Sequence, residues 1–163
     1  MYGMLTRDVD GDGNLDIITT GNQYTAEPVF GNYDASHGVW LRGDGTGHFT
    51  PIPAAQSGLF LGDDQRSIVA LRLPAQSVIV AAANAGPLNA YWVGNNTALS
   101  SEAVPLAPDE VGVEITFQDG RSTRREYYYG TTYLSQSSRT FELLDEMKDV
   151  VIVDSRGGRR KIR

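Results

Sequence analysis

Cysteine is absent from the 163 residues. That excludes disulfides, thiol nucleophiles and Cys-based zinc sites. No apolar run reaches the roughly 18 residues that a membrane helix needs. After Met1 the chain goes straight into "YGMLTRDVD", without the build of a secretory leader. Positive charge is in short supply: 14 Lys and Arg stand against 20 Asp and Glu, a net charge of -6. General attraction to nucleic acid or to anionic lipid is not expected from that balance. Helix-period stretches are scarce as well, and only "RTFELLDEMKD" (139–149) could carry a helical turn.

What remains is a chain of short strands. Hydrophobic residues make up 40% of it, and 18 glycines and 7 prolines punctuate it. Apolar runs bounded by turn residues predict strands near 2–7, 15–20, 38–42, 47–51, 66–73, 77–83, 88–94, 103–106, 111–118, 122–129, 138–143, 149–154 and 159–162. The expected fold class is all-β. "LDIITTGN" (15–22) lines up with "SVIVAAAN" (77–84), and "VWLRG" (39–43) with "AYWVG" (90–94). Each repeat reads as about four strands, the plan of a propeller blade. A propeller typically closes with 4–8 blades. Two blades leave inner edges and a sheet face unpaired, so the expectation is a partial propeller at the C-terminal end of a longer protein.

Charge shifts along the chain. Nine acidic and four basic residues precede residue 99, and eleven acidic and ten basic follow. "SSEAVPLAPDE" (100–110) reads as the junction. Beyond it "VGVEITFQDGRSTRREYYYG" reads as a hairpin across Asp119-Gly120. Two regions are expected: blades over 1–98 and a small β module over 99–163.

The densest chemistry lies in "DVDGDGNLD". Asp8, Asp10, Asp12 and Asp16 fall at loop positions 1, 3, 5 and 9, and the carbonyl of Asn14 at position 7. Carboxylates this close repel one another unless a cation neutralises them. Calcium takes six to eight oxygen ligands, and glycines at Gly11 and Gly13 allow the loop to curl around it. An EF-hand would want Glu at position 12, where Thr19 stands, and helices on both sides. Magnesium prefers fewer carboxylates and more water. Because the acids are spent on ligation and no nucleophile stands beside them, the ion is expected to be structural. Such a site fills outside the cytosol and empties at cytosolic calcium, so an extracytoplasmic location is expected. The second repeat has Val78 where the first has Asp16, and no acidic loop.

"DVDGDGNLDIITTGN" followed by "VWLRGDGTGHFTPI" resembles the FG-GAP or VCBS repeat, the calcium-loop blade of integrin-type propellers. That resemblance implies Asp8, Asp10, Asp12 and Asp16 as side-chain ligands and Asn14 as the carbonyl ligand. "DGRSTRREYYYGTTYLSQSSRTFEL" with "DVVIVDSRGGRRKIR" is similar to the ASPIC/UnbV C-terminal domain, which follows such repeats in surface proteins. Gly130, Tyr133, Leu134, Ser135, Gln136 and Ser137 match its pattern, while "FELLDEM" departs from it. The resemblances imply architecture, calcium and a surface location, not a substrate.

The long loop 21–38 holds Asn22, Tyr24, Glu27, Tyr33, Asp34 and His37, with Gln23 beside them. Aromatics next to amides and carboxylates suit sugar rings, but a self-packed surface loop is the first expectation and sugar binding the alternative. In "REYYYG" alternation puts Tyr127 and Tyr129 on one face and Tyr128 on the other. "YLSQSSR" (133–139) lacks the Gly-x-Ser-x-Gly elbow of hydrolases and reads as a capped turn. "RGGRRKIR" reads as a charged hairpin turning at Gly157-Gly158, and "RGD" at 42–44 as accidental. The expected activity is non-catalytic binding of a glycan or a surface protein. The alternatives are an accessory region of a polysaccharide-active enzyme and a pure assembly module.

Overall fold

The computed structural model describes residues 2–25, 27, 29, 31–34, 36–74, 76–92 and 102–163. The protein is all-β, built of antiparallel sheets. It divides into two compact units, Met1–Ala98 with Gly130–Ser138, and Leu99–Tyr129 with Arg139–Arg163. Gly130–Ser138, placed by the sequence in the second module, thus folds with the first unit.

In the first unit β1 (Gly3–Arg7), β2 (Asp16–Thr20), β3 (Val39–Gly43) and β4 (Phe49–Ile52) form one sheet in the order β1-β2-β3-β4. A short helix, α1 (Ala54–Ser57), follows and ends on Gly58 in the left-handed region. A second sheet contains β5 (Gln65–Leu73), β6 (Gln76–Ala83) and β7 (Leu88–Trp92) in the order β5-β6-β7. The expected second blade thus shows three strands among the described residues, and its continuation past 92 lies outside them. No sheet closes into a barrel or ring among the described residues.

Alternation explains why these residues make these sheets. Leu5, Ile18, Ile68, Ala70, Ile79 and Ala81 point to one shared core, with Leu59 and Leu61 from the connection after α1. Trp40 and Tyr91 pack against it half-buried. Gly3 of β1 is set close to β5: a Cβ there would come within 2.9 Å of Ile68 Cγ2 and 3.3 Å of its backbone nitrogen.

The second unit pairs β8 (Glu102–Pro105) with β11 (Thr140–Leu143). Its larger sheet runs β10-β9-β12-β13, from β9 (Glu110–Phe117), β10 (Ser122–Glu126), β12 (Met147–Asp154) and β13 (Arg159–Lys161). Val104, Val113, Ile115, Phe141, Met147, Val150 and Ile152 are buried in its core. The stretch read as a junction, 100–110, includes strand β8. The stretch read as a helical turn, 139–149, is strand, turn and strand, because Phe141 and Leu143 alternate inward with Met147. β10 ends at Glu126, so the tyrosine alternation does not extend along a strand. Tyr127 packs on the core, while Tyr128 and Tyr129 are exposed.

Candidate metal centre and the opposite loop

Antiparallel register pairs Arg7 with Asp16, so residues 8–15 form the β1–β2 hairpin loop. Gly11 and Gly13 adopt φ of 81° and 85°, a region that other side chains rarely enter. The acids organise this turn through backbone N–H groups. The Asp8 carboxylate accepts from Gly11 (2.7 Å) and Gly13 (2.9 Å), and Asp12 accepts from Asn14 (2.9 Å). Asp16 is fully buried and accepts from Val9 (3.0 Å) and from Gly43 across the sheet (2.9 Å).

One oxygen each of Asp8, Asp10 and Asp16 lies within 4.8 Å of the other two. Asp12 is not in that group. Asp12 turns instead to Arg42, whose Nη2 stands 3.2 Å from its carboxylate, while Arg42 Nε stands 2.7 Å from Asp10. The Asp10 carboxyl is held above its ordinary range. Burial is the largest cause, and the negative charges of Asp12 and Asp16 add to it against the partial relief from Arg42. Three convergent hard oxygens fit the chemistry of a calcium ion, with carbonyls or water left to complete its shell.

Arg42 and Gly43 are the site residues that sequence reasoning missed. They belong to the "RGD" triplet, whose third member, Asp44, closes its own turn by accepting from Thr46 N–H (2.7 Å). The signal was the strand register: Ile17 pairs with Leu41, which carries the next two residues of β3 alongside the acidic loop. Gly43 is also sterically required, since a Cβ there would collide with the Leu15 carbonyl oxygen.

The loop 21–38 leaves the opposite end of the same sheet, after β2. Asn22 is buried, and its Oδ1 accepts from Ser36 N–H (3.2 Å), which makes it a structural support. Gln23 and Tyr33 exchange backbone bonds of 3.0 and 2.8 Å. A hydrogen bond to Asp34 pushes the Tyr24 hydroxyl up from its ordinary range. The His37 ring stacks on Phe60 at 4.6 Å. Arg66 pins the loop from β5, reaching Thr25 Oγ1 (3.1 Å) and Asp64 (2.8 Å) with its guanidinium over the Tyr2 ring. Among its described residues Asn22 is buried and Gln23, Tyr24 and Ser36 are half-buried. Glu27, Tyr33 and Asp34 stay exposed, with Phe60 of the following connection.

In the second unit the basic end is a hairpin, with Gly157 at φ 87°. Arg159 pairs with Glu114, Arg160 with Glu110 (2.7 Å) and Lys161 with Asp149 (2.8 Å). Those three charges are met by acids of its own sheet. The chain matches no protein-family model and no curated protein. Fold and site together define an all-β protein that carries a carboxylate-lined hairpin.

Proposed function

We propose that this chain is a non-catalytic binding module stabilised by calcium at Asp8, Asp10 and Asp16. Asp12 and the Asn14 carbonyl join the ion's shell when it is bound. The observation that carries this reading is the convergence of those three carboxylates in a glycine-shaped hairpin at one end of a four-stranded meander. Such a meander with such a loop is what the FG-GAP resemblance leads one to expect of a propeller blade, and the second unit then takes the place of an ASPIC/UnbV-like module.

The outer faces of the first unit support the propeller reading. Tyr91 packs on the shared core, so by alternation its neighbours Leu88 and Trp92 point away from it, exposed at 71% and 63%. Met4, next to the buried Leu5, is 47% exposed on the far side of the other sheet. Apolar residues on both outward faces suit a stack that continues into further blades. The location that goes with a weak calcium site is extracytoplasmic.

Glycans or surface proteins are the proposed partners, met at the loop end that presents Tyr33, Asp34, Glu27 and Phe60. An aromatic ring stacks on a sugar face while carboxylates meet its hydroxyls. A glycan array probed with the chain in calcium tests this. Tyr33→Ala is expected to lose most of the signal at an unchanged melting temperature. An array on which no glycan binds, or on which Tyr33→Ala binds like wild type, would overturn the assignment.

A further inference from the structure

Strand β5 presents two edges. One is bonded to β6 from Gln65 to Leu73. Along the other, backbone groups of Ile68, Ala70 and Arg72 meet not a strand but the segment Gly130–Ser138. Ser138 N–H donates to the Ala70 carbonyl (2.9 Å), and the Thr132 hydroxyl donates to the Ile68 carbonyl (3.2 Å). Ala70 N–H donates to the Ser137 hydroxyl (3.1 Å) and Arg72 N–H to the Ser138 hydroxyl (3.0 Å). Hydroxyls thus stand in for most of the backbone groups of a neighbouring strand.

The segment holds its shape through its own bonds. Gly130 N–H donates to Gln136 Oε1 (2.7 Å), and Ser137 N–H to the Thr131 hydroxyl (3.1 Å). The Thr132 and Ser135 hydroxyls are bonded to each other. Leu134 turns the tip at φ 47° and is 87% exposed. Tyr133 meets Tyr2 edge-on at 6.2 Å.

An open strand edge is a template for pairing with another chain, and proteins blunt such edges with proline or charge. Here β4 carries Pro51, β8 carries Pro105, β10 carries Arg124 and Arg125, and β13 is Arg159–Lys161. β5 is nine residues long and reads QRSIVALRL, without proline or lysine and uncharged from Ser67 to Leu71. Its protection has to come from elsewhere.

We propose that residues 130–138 are an edge guard. They are a hydroxyl-built strap that occupies β5 in place of a strand and keeps it from pairing with β5 of a second copy. Two copies meeting antiparallel about a two-fold axis would satisfy the same backbone groups on both sides, as an isologous interface requires. The proposal is independent of calcium, since none of these residues belongs to the acidic loop.

The test is the Ser137→Ala/Ser138→Ala variant of the full chain, with Leu134→Ala as the control at the exposed tip. Hydrogen exchange at the Ala70 and Arg72 amides reads the strap directly. At a dilution where the chain is monomeric they are expected to exchange about tenfold faster in the double variant and at the wild-type rate in the control. Light scattering is expected to show dimer growing with concentration in the double variant alone. Wild-type exchange at both amides would overturn the proposal, as would fast exchange in a chain that stays monomeric at every concentration. If the double variant does not fold, Ser137→Ala alone gives the same two readings at Ala70. A wild-type rate there, or a monomer throughout, is equally decisive against it.

Discussion

Arg42 brings one positive charge to carboxylates that a divalent ion also attracts. Its guanidinium bridges Asp10 and Asp12, so binding calcium through those acids means loosening the bridge. Arg42→Ala is therefore expected to lower the melting temperature in EDTA and to tighten calcium binding, measured by melting and calorimetry. Weaker calcium binding in that variant would mean that Arg42 props up the loop rather than competing for it. Asp10 gives a prediction whose sign changes with conditions. Its carboxyl is raised, chiefly by burial. In metal-free protein its contribution to stability is therefore complete below the ordinary aspartate range and is lost as pH rises through the raised value. In EDTA, Asp10→Asn is expected to melt above wild type at about pH 7 and level with it at about pH 3. In calcium at about pH 7 the order reverses, because the variant has lost a ligand. Most acids of this loop announced themselves by their spacing. Arg42 did not, because it is brought there by pairing across β2 and β3 and not by nearness in sequence.

At the level of elements, the loop depends on a strand end that no loop residue reveals. Gly43 donates its N–H to buried Asp16, and any Cβ on it meets the Leu15 carbonyl. Gly43→Ala is expected to cost about 1–3 kcal/mol in denaturant unfolding, as overpacking of a tight contact does. A variant as stable as wild type would show that the β3 end can yield. The strands were legible because their alternation is local: Leu5, Ile18, Ile79 and Ile152 each recur on a two-residue period within a short run. The helical turn allowed for within 139–149 does not form and the strand expected near 138–143 does, because the spacing suits a strand that ends at Leu143 and another that begins at Met147. α1 went unread since its four residues carry no buried side chain and hence no pattern. The placement of 130–138 was illegible for another reason. Its serines read as turn caps, and the strand they serve lies more than sixty residues earlier.

On the scale of the molecule, each unit has its own core, so damage to one should be separable from the chemistry of the other. Phe141 is fully buried in the second unit. Phe141→Ala is expected to destabilise that unit by about 3–5 kcal/mol while leaving calcium affinity unchanged, because every acid of the loop belongs to the first unit. Loss of calcium binding in that variant would mean that the site depends on more than its own hairpin. Calcium in turn should act as a ligand of the folded state, adding about 2 kcal/mol when present at some twentyfold its Kd.

The most direct measurement is a calorimetric calcium titration of the metal-stripped wild-type chain, repeated with Asp10→Asn. One site is expected, with a Kd near 0.1–1 mM, in the range of about 10⁻⁴–10⁻³ M for extracellular modules, and a clear weakening in the variant. No binding heat from the wild-type chain at about 10 mM calcium, together with an unmoved melting temperature, would contradict it.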